Sequence, residues 1–189
     1  MAINTSQGGI MKPVSSNTGI LWYAEAGDVQ IDAITATADL STIGLTSGGA
    51  VTTDGVTLAE NPEDPETFND WNGITFDSSE ATSSPSITFA LLEVLNKAAA
   101  ELVYASSAIT EAGGKISEIE GSANPSNKTI VIDTRIKNRR IRAIYPVASF
   151  ASRGDNVYAN DALYSWEVTY NLLADGEGND RYMRFADIA

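Results

Sequence analysis

The chain has 189 residues, is 43% hydrophobic, and carries 25 acidic against 12 basic residues for a net charge of −13. That length can bury one sizeable domain, or one domain with long arms. With neither Cys nor His in the sequence, disulfides, thiol nucleophiles, thiolate or imidazole metal sites and every Ser-His or Cys-His relay are excluded; carboxylate pairs, a Ser-Lys arrangement or an oxygen-only metal site are all that remains for catalysis.

The N-terminal "MAINTSQGGIMKPVSS" has no apolar run preceded by positive charge, so no signal peptide is expected. Residues 1–20 are rich in Ser, Thr, Asn and Gly and read as an extended arm. "GILWYAEAG" predicts a first strand, and a short one ends near Ile43. Residues 46–70 are turn-rich, and Thr53-Asp54-Gly55-Val56 predicts a hairpin turn between β-branched residues. The acidic, proline-containing "AENPEDPETFND" that follows reads as a long exposed loop, which in a compact domain is usually functional or mobile.

"WNGITFD" returns to strand character. "SITFALLEV" reads as a strand to about Glu93, followed by a helix over 94–104 with Leu95, Ala98, Ala99 and Leu102 as its apolar stripe. Glu93, Asn96, Lys97 and Glu101 interrupt this most apolar stretch, so it cannot span a bilayer, and a soluble protein made in the cytoplasm is expected. The sequons at Asn4 and Asn127 then carry little weight.

Beyond the paired glycines of "EAGG" the chain reads as strand almost throughout. "KTIVIDTRIK" places Ile130, Ile132, Thr134 and Ile136 on one face and Val131, Asp133, Arg135 and Lys137 on the other. "RIRAIYPVASFA" runs back. "ALYSWEVTYNLLA" alternates most cleanly: Tyr164, Trp166, Val168, Tyr170 and Leu172 oppose Ser165, Glu167, Thr169 and Asn171. "DGEGND" turns that strand into "RYMRFAD". One mostly-β domain over 1–189, a sandwich or barrel with one flanking helix, a long hairpin loop and an N-terminal arm, is the architecture these elements imply.

Candidate chemistry is thin. Asp175, Glu177, Asn179 and Asp180 miss the calcium-loop pattern, since its obligatory Gly falls on Asp180 and its closing Glu on Ala186; a hairpin turn explains them better. Asp28 with Asp32, and Glu63 with Asp64, pose as carboxylate pairs, but acids this numerous pair by chance. "TSGGAV" lacks the Lys and the helix of a phosphate cradle. No cofactor and no metal is expected.

The basic run is the sharper feature. Arg135, Lys137, Arg139, Arg140 and Arg142 put five cations into eight positions, while residues 1–127 hold 17 acids against 3 bases. Three readings stand beside each other: a nucleic-acid contact, opposed by the overall acidity, a solvated face, and half of a contact with acidic segments of another copy.

The order of elements resembles the major tail (tail tube) proteins of long-tailed, non-contractile bacteriophages. The likeness runs from "TGILWYAEAG" through "DLSTIGLTSGGAVTTDGVTL", "DWNGITFD" and "SITFALLEVLNKAAAELVYA" to "NRRIRAIYPVASFASRGD" and "YSWEVTYNLLAD". It departs in lacking a proline in "DVQIDAITA" and in having Ala105 after Tyr104, where relatives often have Gly. The resemblance implies a β-sandwich with one helix and hexameric rings of this chain stacked into a hollow tube that passes DNA without binding it. It also implies tape-measure, tail-tip and tail-terminator partners, no membrane and no active site. Under it, Arg135, Arg139, Arg140 and Arg142 are expected to meet Glu63, Asp64, Glu66 and Phe68 of neighbouring copies, and Ser165, Glu167, Thr169 and Asn171 to line the channel, whose wall is expected to repel phosphate. The alternatives are a monomeric β-sandwich binding module, for example one for carbohydrate, and a capsid decoration or head–tail connector protein.

Overall fold

A computed structural model describes residues 14–15, 19–60, 62–63, 67–78, 82–161 and 163–187. Its centre is the hairpin of β12 (Lys128–Ile136) and β13 (Arg139–Arg153), turned at Lys137 with a positive φ of 55°. On the other side of β12 lie β2 (Leu21–Glu25) and, continuing along it, β1 (Val14–Ser15); β3 (Thr46–Ser47) pairs with β2. The far side of β13 carries two strands end to end. β15 (Tyr182–Asp187) lies against Arg139–Ile144, and β14 (Trp166–Leu173) against Val147–Arg153. β9 (Ser86–Leu91) follows β14, and β4 (Val51–Ala59) closes the row, giving one antiparallel sheet of nine strands.

The sheet forks at Pro146. Proline gives no N–H to a ladder and within sheets is confined to edges, strand starts and bulges. Here the β12–β13 register slips between Lys128 and Ile130, and the Pro146 carbonyl accepts the Thr129 hydroxyl at 2.8 Å. β14 and β15 both run antiparallel to β13, so residues 174–181 do not reverse the chain. The hairpin expected at "DGEGND" is therefore a detour between collinear strands.

The mostly-β reading holds, with three local corrections. Thr53–Val56 makes no hairpin turn: Gly55 (φ 78°) sits in a bulge within β4, where the register against β9 shifts between Val51 and Val56. The 46–70 loop is instead one side of a ribbon. β5 (Pro62–Glu63) pairs with β8 (Thr82–Ser83), and β6 (Thr67–Asn69) with β7 (Thr75–Ser78). Ala59 opposite Ser86, Glu63 opposite Thr82 and Phe68 opposite Asp77 keep one register from the sheet outward. The arm expected over 1–20 falls largely outside the described residues; Val14 and Ser15 belong to the sheet.

The helix is the third correction. α1 spans only Lys97–Ala100, capped by the Asn96 side chain, which accepts the Ala98 N–H at 3.0 Å. The chain then leaves α geometry in turns through Tyr104. The buried set becomes Ala99, Ala100, Leu102 and Val103, and Leu95 is exposed. The β10 (Ile109–Ala112) and β11 (Lys115–Ile119) hairpin stands beside this turn region.

Core packing divides the sheet into two faces. On the inner face Leu21, Tyr23, Ile130, Tyr145, Val168, Tyr170, Phe89 and Leu91 pack on Ala99–Val103. The Tyr170 hydroxyl donates to the Leu102 carbonyl at 2.6 Å, tying the turn region to β14. On the outer face of the β2–β12–β13 half, Trp22, Val131 and Ile144 pack on Val29, Ile34, Leu40 and Leu45 from the 26–45 segment. Among the described residues, the β14–β9–β4 half of the outer face has no such cover.

Candidate assembly surfaces

Most of the basic run belongs to the fold. Asp133, in the middle of an otherwise apolar stretch, points to the outer face and is fully buried. Arg142 stands opposite it in register, 2% exposed, with Nη2 3.2 Å from Asp133 Oδ2 and Nη1 donating to the Thr35 carbonyl at 2.6 Å. Arg140 Nε lies 3.4 Å from the other carboxylate oxygen. One strand over, Arg184 reaches the Ile31 carbonyl and Asp32. Alternation of strand side chains puts Asp133, Arg140 and Arg142 on one face, where Arg142 clamps the 31–35 segment to the sheet.

Arg142 is accordingly withdrawn from the residues expected to meet another copy, since its guanidinium is spent inside the subunit. Arg140 is largely committed as well. Arg135, opposite Arg140 in register, is half-buried. Arg139 points to the inner face, 57% exposed, over the Phe185 ring at 5.7 Å and with Asp187 at 3.9 Å. The acidic counterparts divide too. Asp64 and Glu66 lie outside the described residues, Glu63 is placed in β5, and Phe68 is exposed on β6.

The alternation read in residues 164–172 is observed. Trp166, Val168, Tyr170 and Leu172 are buried; Glu167 and Asn171 are exposed and Thr169 is half-buried on the outer face. Ser165 precedes the strand and is half-buried. Register extends this polar face sideways. Thr169 stands beside Thr88 and Asn171 beside Ser86 on β9; Thr57 and Ala59 follow on β4, and Ser149 on β13. The Thr88 and Thr169 hydroxyls are 2.9 Å apart. These positions carry one acid, Glu167, and neither a cation nor an aromatic ring. This face is thus mostly polar, with Glu167 as its one acid among these positions and the exposed Leu173 at its end.

Elsewhere, polar side chains lock turns. Asp175 Oδ1 accepts the backbone N–H groups of Glu177 and Asn179, and Oδ2 accepts the Tyr182 hydroxyl at 2.6 Å; these bonds, Tyr182's first, hold its carboxyl below the usual range. Arg181 grips Glu60 with two hydrogen bonds of 2.6 and 2.7 Å, anchoring the foot of the ribbon and holding the Glu60 carboxyl low. Arg153 lies over Tyr104 and Phe150 and donates to the carbonyls of Val103 and Ala123. A groove of about 530 Å³ runs between residues 92–96 and the β10–β11 turn at Gly114 and Lys115. Among the described residues, no cluster of acids could hold a metal ion and no helix is long and apolar enough to cross a membrane.

Among the described residues, large apolar side chains are left bare at five places, two of them single residues: Leu95 before the helix and Leu173 at the end of β14 on the outer face. Phe68, Trp71 (101% exposed) and Ile74 crowd the ribbon tip; Met183 and Phe185 stand on β15; Val157, Tyr158 and Leu163 surround the loop before β14. Sequence reasoning singled out only Phe68. Alternation in "RYMRFAD" was the available signal for Met183 and Phe185.

Neither the protein-family models nor the curated proteins give a match to this chain.

Proposed function

We propose that this chain is a structural subunit that assembles with copies of itself, and that the assembly is the tail tube of a long-tailed bacteriophage. The observation that carries the reading is the split outer face. One half is sealed over a buried ionic network, while the other, among the described residues, is an uncovered sheet face of Ser, Thr, Asn and Ala with a single carboxylate, Glu167, and one apolar residue, Leu173, at its end. A channel wall for DNA should offer phosphate no cation and bases no ring to stack on; salt screening over roughly 10 Å lets local side chains decide this. Glu167, Thr169 and Asn171 supply such a wall. Exposed rings and aliphatics at the ribbon tip and on β15 fit a subunit whose apolar surface is completed by neighbours. In this reading the tape-measure, tail-tip and tail-terminator proteins are its other contacts.

The test combines assembly with DNA retention. Electron microscopy of the purified protein is expected to show rings or tubes. Thr169→Lys with Asn171→Lys is expected to leave assembly intact while making the particles retain DNA on a filter at low salt. Tubes whose DNA retention the substitutions do not alter would remove this face from the channel.

A second reading has one observation in its favour. Tyr158, 84% exposed, stacks on Tyr164 with centroids 5.0 Å apart, beside exposed Leu163. An exposed ring is what a carbohydrate-binding module uses, and glycan-array binding by a monomer would favour it over the tube.

A further inference from the structure

The outer face at the β12–β13 hairpin carries more guanidinium than its carboxylates answer. Two rows of side chains cross it. In the first, Asp133, Arg142 and Arg184 stand side by side on β12, β13 and β15, with Asp32 against Arg184, so two cations meet two carboxylates. In the second, Arg135, Arg140 and Ala186 stand in the same order, and the row has no acid of its own. Like charges directly opposite on neighbouring strands repel, with Cβ atoms only about 4.5–5.5 Å apart. The chain holds 25 acids against 12 bases, yet among the described residues only Asp133 comes within ion-pair distance of this row.

Acceptors are short as well. Arg140 comes closest to Asp133 with its Nε, 3.4 Å from Oδ1, and that Nε makes no hydrogen bond. The Nε of Arg142 is also buried without an acceptor. Since Asp133 Oδ2 already accepts Arg142 Nη2 at 3.2 Å, Oδ1 is the one free oxygen for two unpartnered N–H groups. Arg135 is half-buried, and among the described residues no ion pair or hydrogen bond joins it. Drawing a charge out of water is costly unless a partner replaces the lost hydration.

We propose that Arg135 and Arg140 form a binding site for a tetrahedral oxyanion of the phosphate class, held between their two guanidinium groups on the outer face of the hairpin. Each guanidinium presents paired N–H donors that match two oxygens of one anion. A carboxylate has two oxygens and satisfies one such fork. A phosphate has oxygens for both and, as a dianion, cancels both charges. Arg139 lies outside the site, because it points to the inner face and pairs with Asp187. The site belongs to the single chain and does not depend on the self-assembly reading above.

Equilibrium dialysis of the full chain against radiolabelled inorganic phosphate, at constant ionic strength set with chloride, tests it. Saturable binding of one phosphate per chain is expected, with sulfate competing and acetate at least tenfold weaker. Arg135→Gln and Arg140→Gln are each expected to weaken binding at least tenfold. Arg139→Gln removes the same charge from the opposite face and is expected to leave binding unchanged. Circular dichroism melts in chloride check that each variant folds; should Arg140→Gln unfold through its loss at Asp133, Arg135→Gln still decides the matter. Binding no greater than in excess chloride, or lowered by Arg139→Gln as much as by Arg135→Gln, would overturn the site. Acetate binding as tightly as phosphate would overturn the tetrahedral assignment.

Discussion

Asp133 and Arg142 are where one residue most affects the molecule. Removing one partner of a buried ion pair strands the other charge and costs about 3–5 kcal/mol, whereas an exposed pair contributes about 0–1 kcal/mol. Asp133→Ala and Arg142→Ala are therefore expected to lower urea stability by several kcal/mol, and Arg139→Ala by less than about 1 kcal/mol. Equal, small effects at all three would place the basic run back on the surface. Charge reversal at Arg140 would set a carboxylate against Asp133, so the assembly role of the run is read at Arg139. An acid inside "TIVIDTRI" was visible in the sequence. What hid its role was the 26–45 segment, whose carbonyls complete the site from far along the chain and leave no mark in strand periodicity.

At the scale of elements, strands were legible and the excursions between them were not. β12, β13 and β14 follow alternation because each has to match a buried inner face. The expected helix shrank to Lys97–Ala100 because Leu102, Val103 and Tyr170 fix the chain after it in a turn, a tertiary constraint that helical spacing at 95, 98, 99 and 102 does not register. Asp-Gly at 54–55 signals a backbone that needs positive φ, and a bulge satisfies that as well as a hairpin does. Tyr170→Phe should show how firmly the turn is held: losing the bond to the Leu102 carbonyl is expected to cost about 1–3 kcal/mol, because that acceptor is left buried. A change below a few tenths of a kcal/mol would mean that the Ala99–Val103 contacts alone hold it.

Across the whole molecule, charge and shape act together. At Glu25, burial is the largest influence and works upward, yet hydrogen bonds from Lys128 and Ser126 carry the carboxyl below its usual value; the Arg181 bonds lower Glu60 and the Tyr182 bond lowers Asp175. Groups with lowered pKa are more readily ionised in the fold than in the unfolded chain. Their stabilisation is present above the ordinary carboxylate range near about 4 and is lost as pH falls through the lowered values. Tyr23 and Tyr170 shift upward through burial, so their contribution is complete below about 10 and is lost above it. Thermal melts are expected to hold level between these limits and to fall on both sides, and a melting temperature that rises on acidification below about 4 would contradict the sign.

The strongest single test of the account is the sedimentation of the purified chain across a wide concentration range, with electron microscopy of the same samples. In the proposed reading, the split outer face and the exposed ribbon tip are completed by neighbours of the same kind. The predicted result is a concentration-dependent shift from a species of 20.0 kDa to closed rings or tubes with an open channel. A single monomeric boundary at every concentration, with no particles in the images, would contradict it.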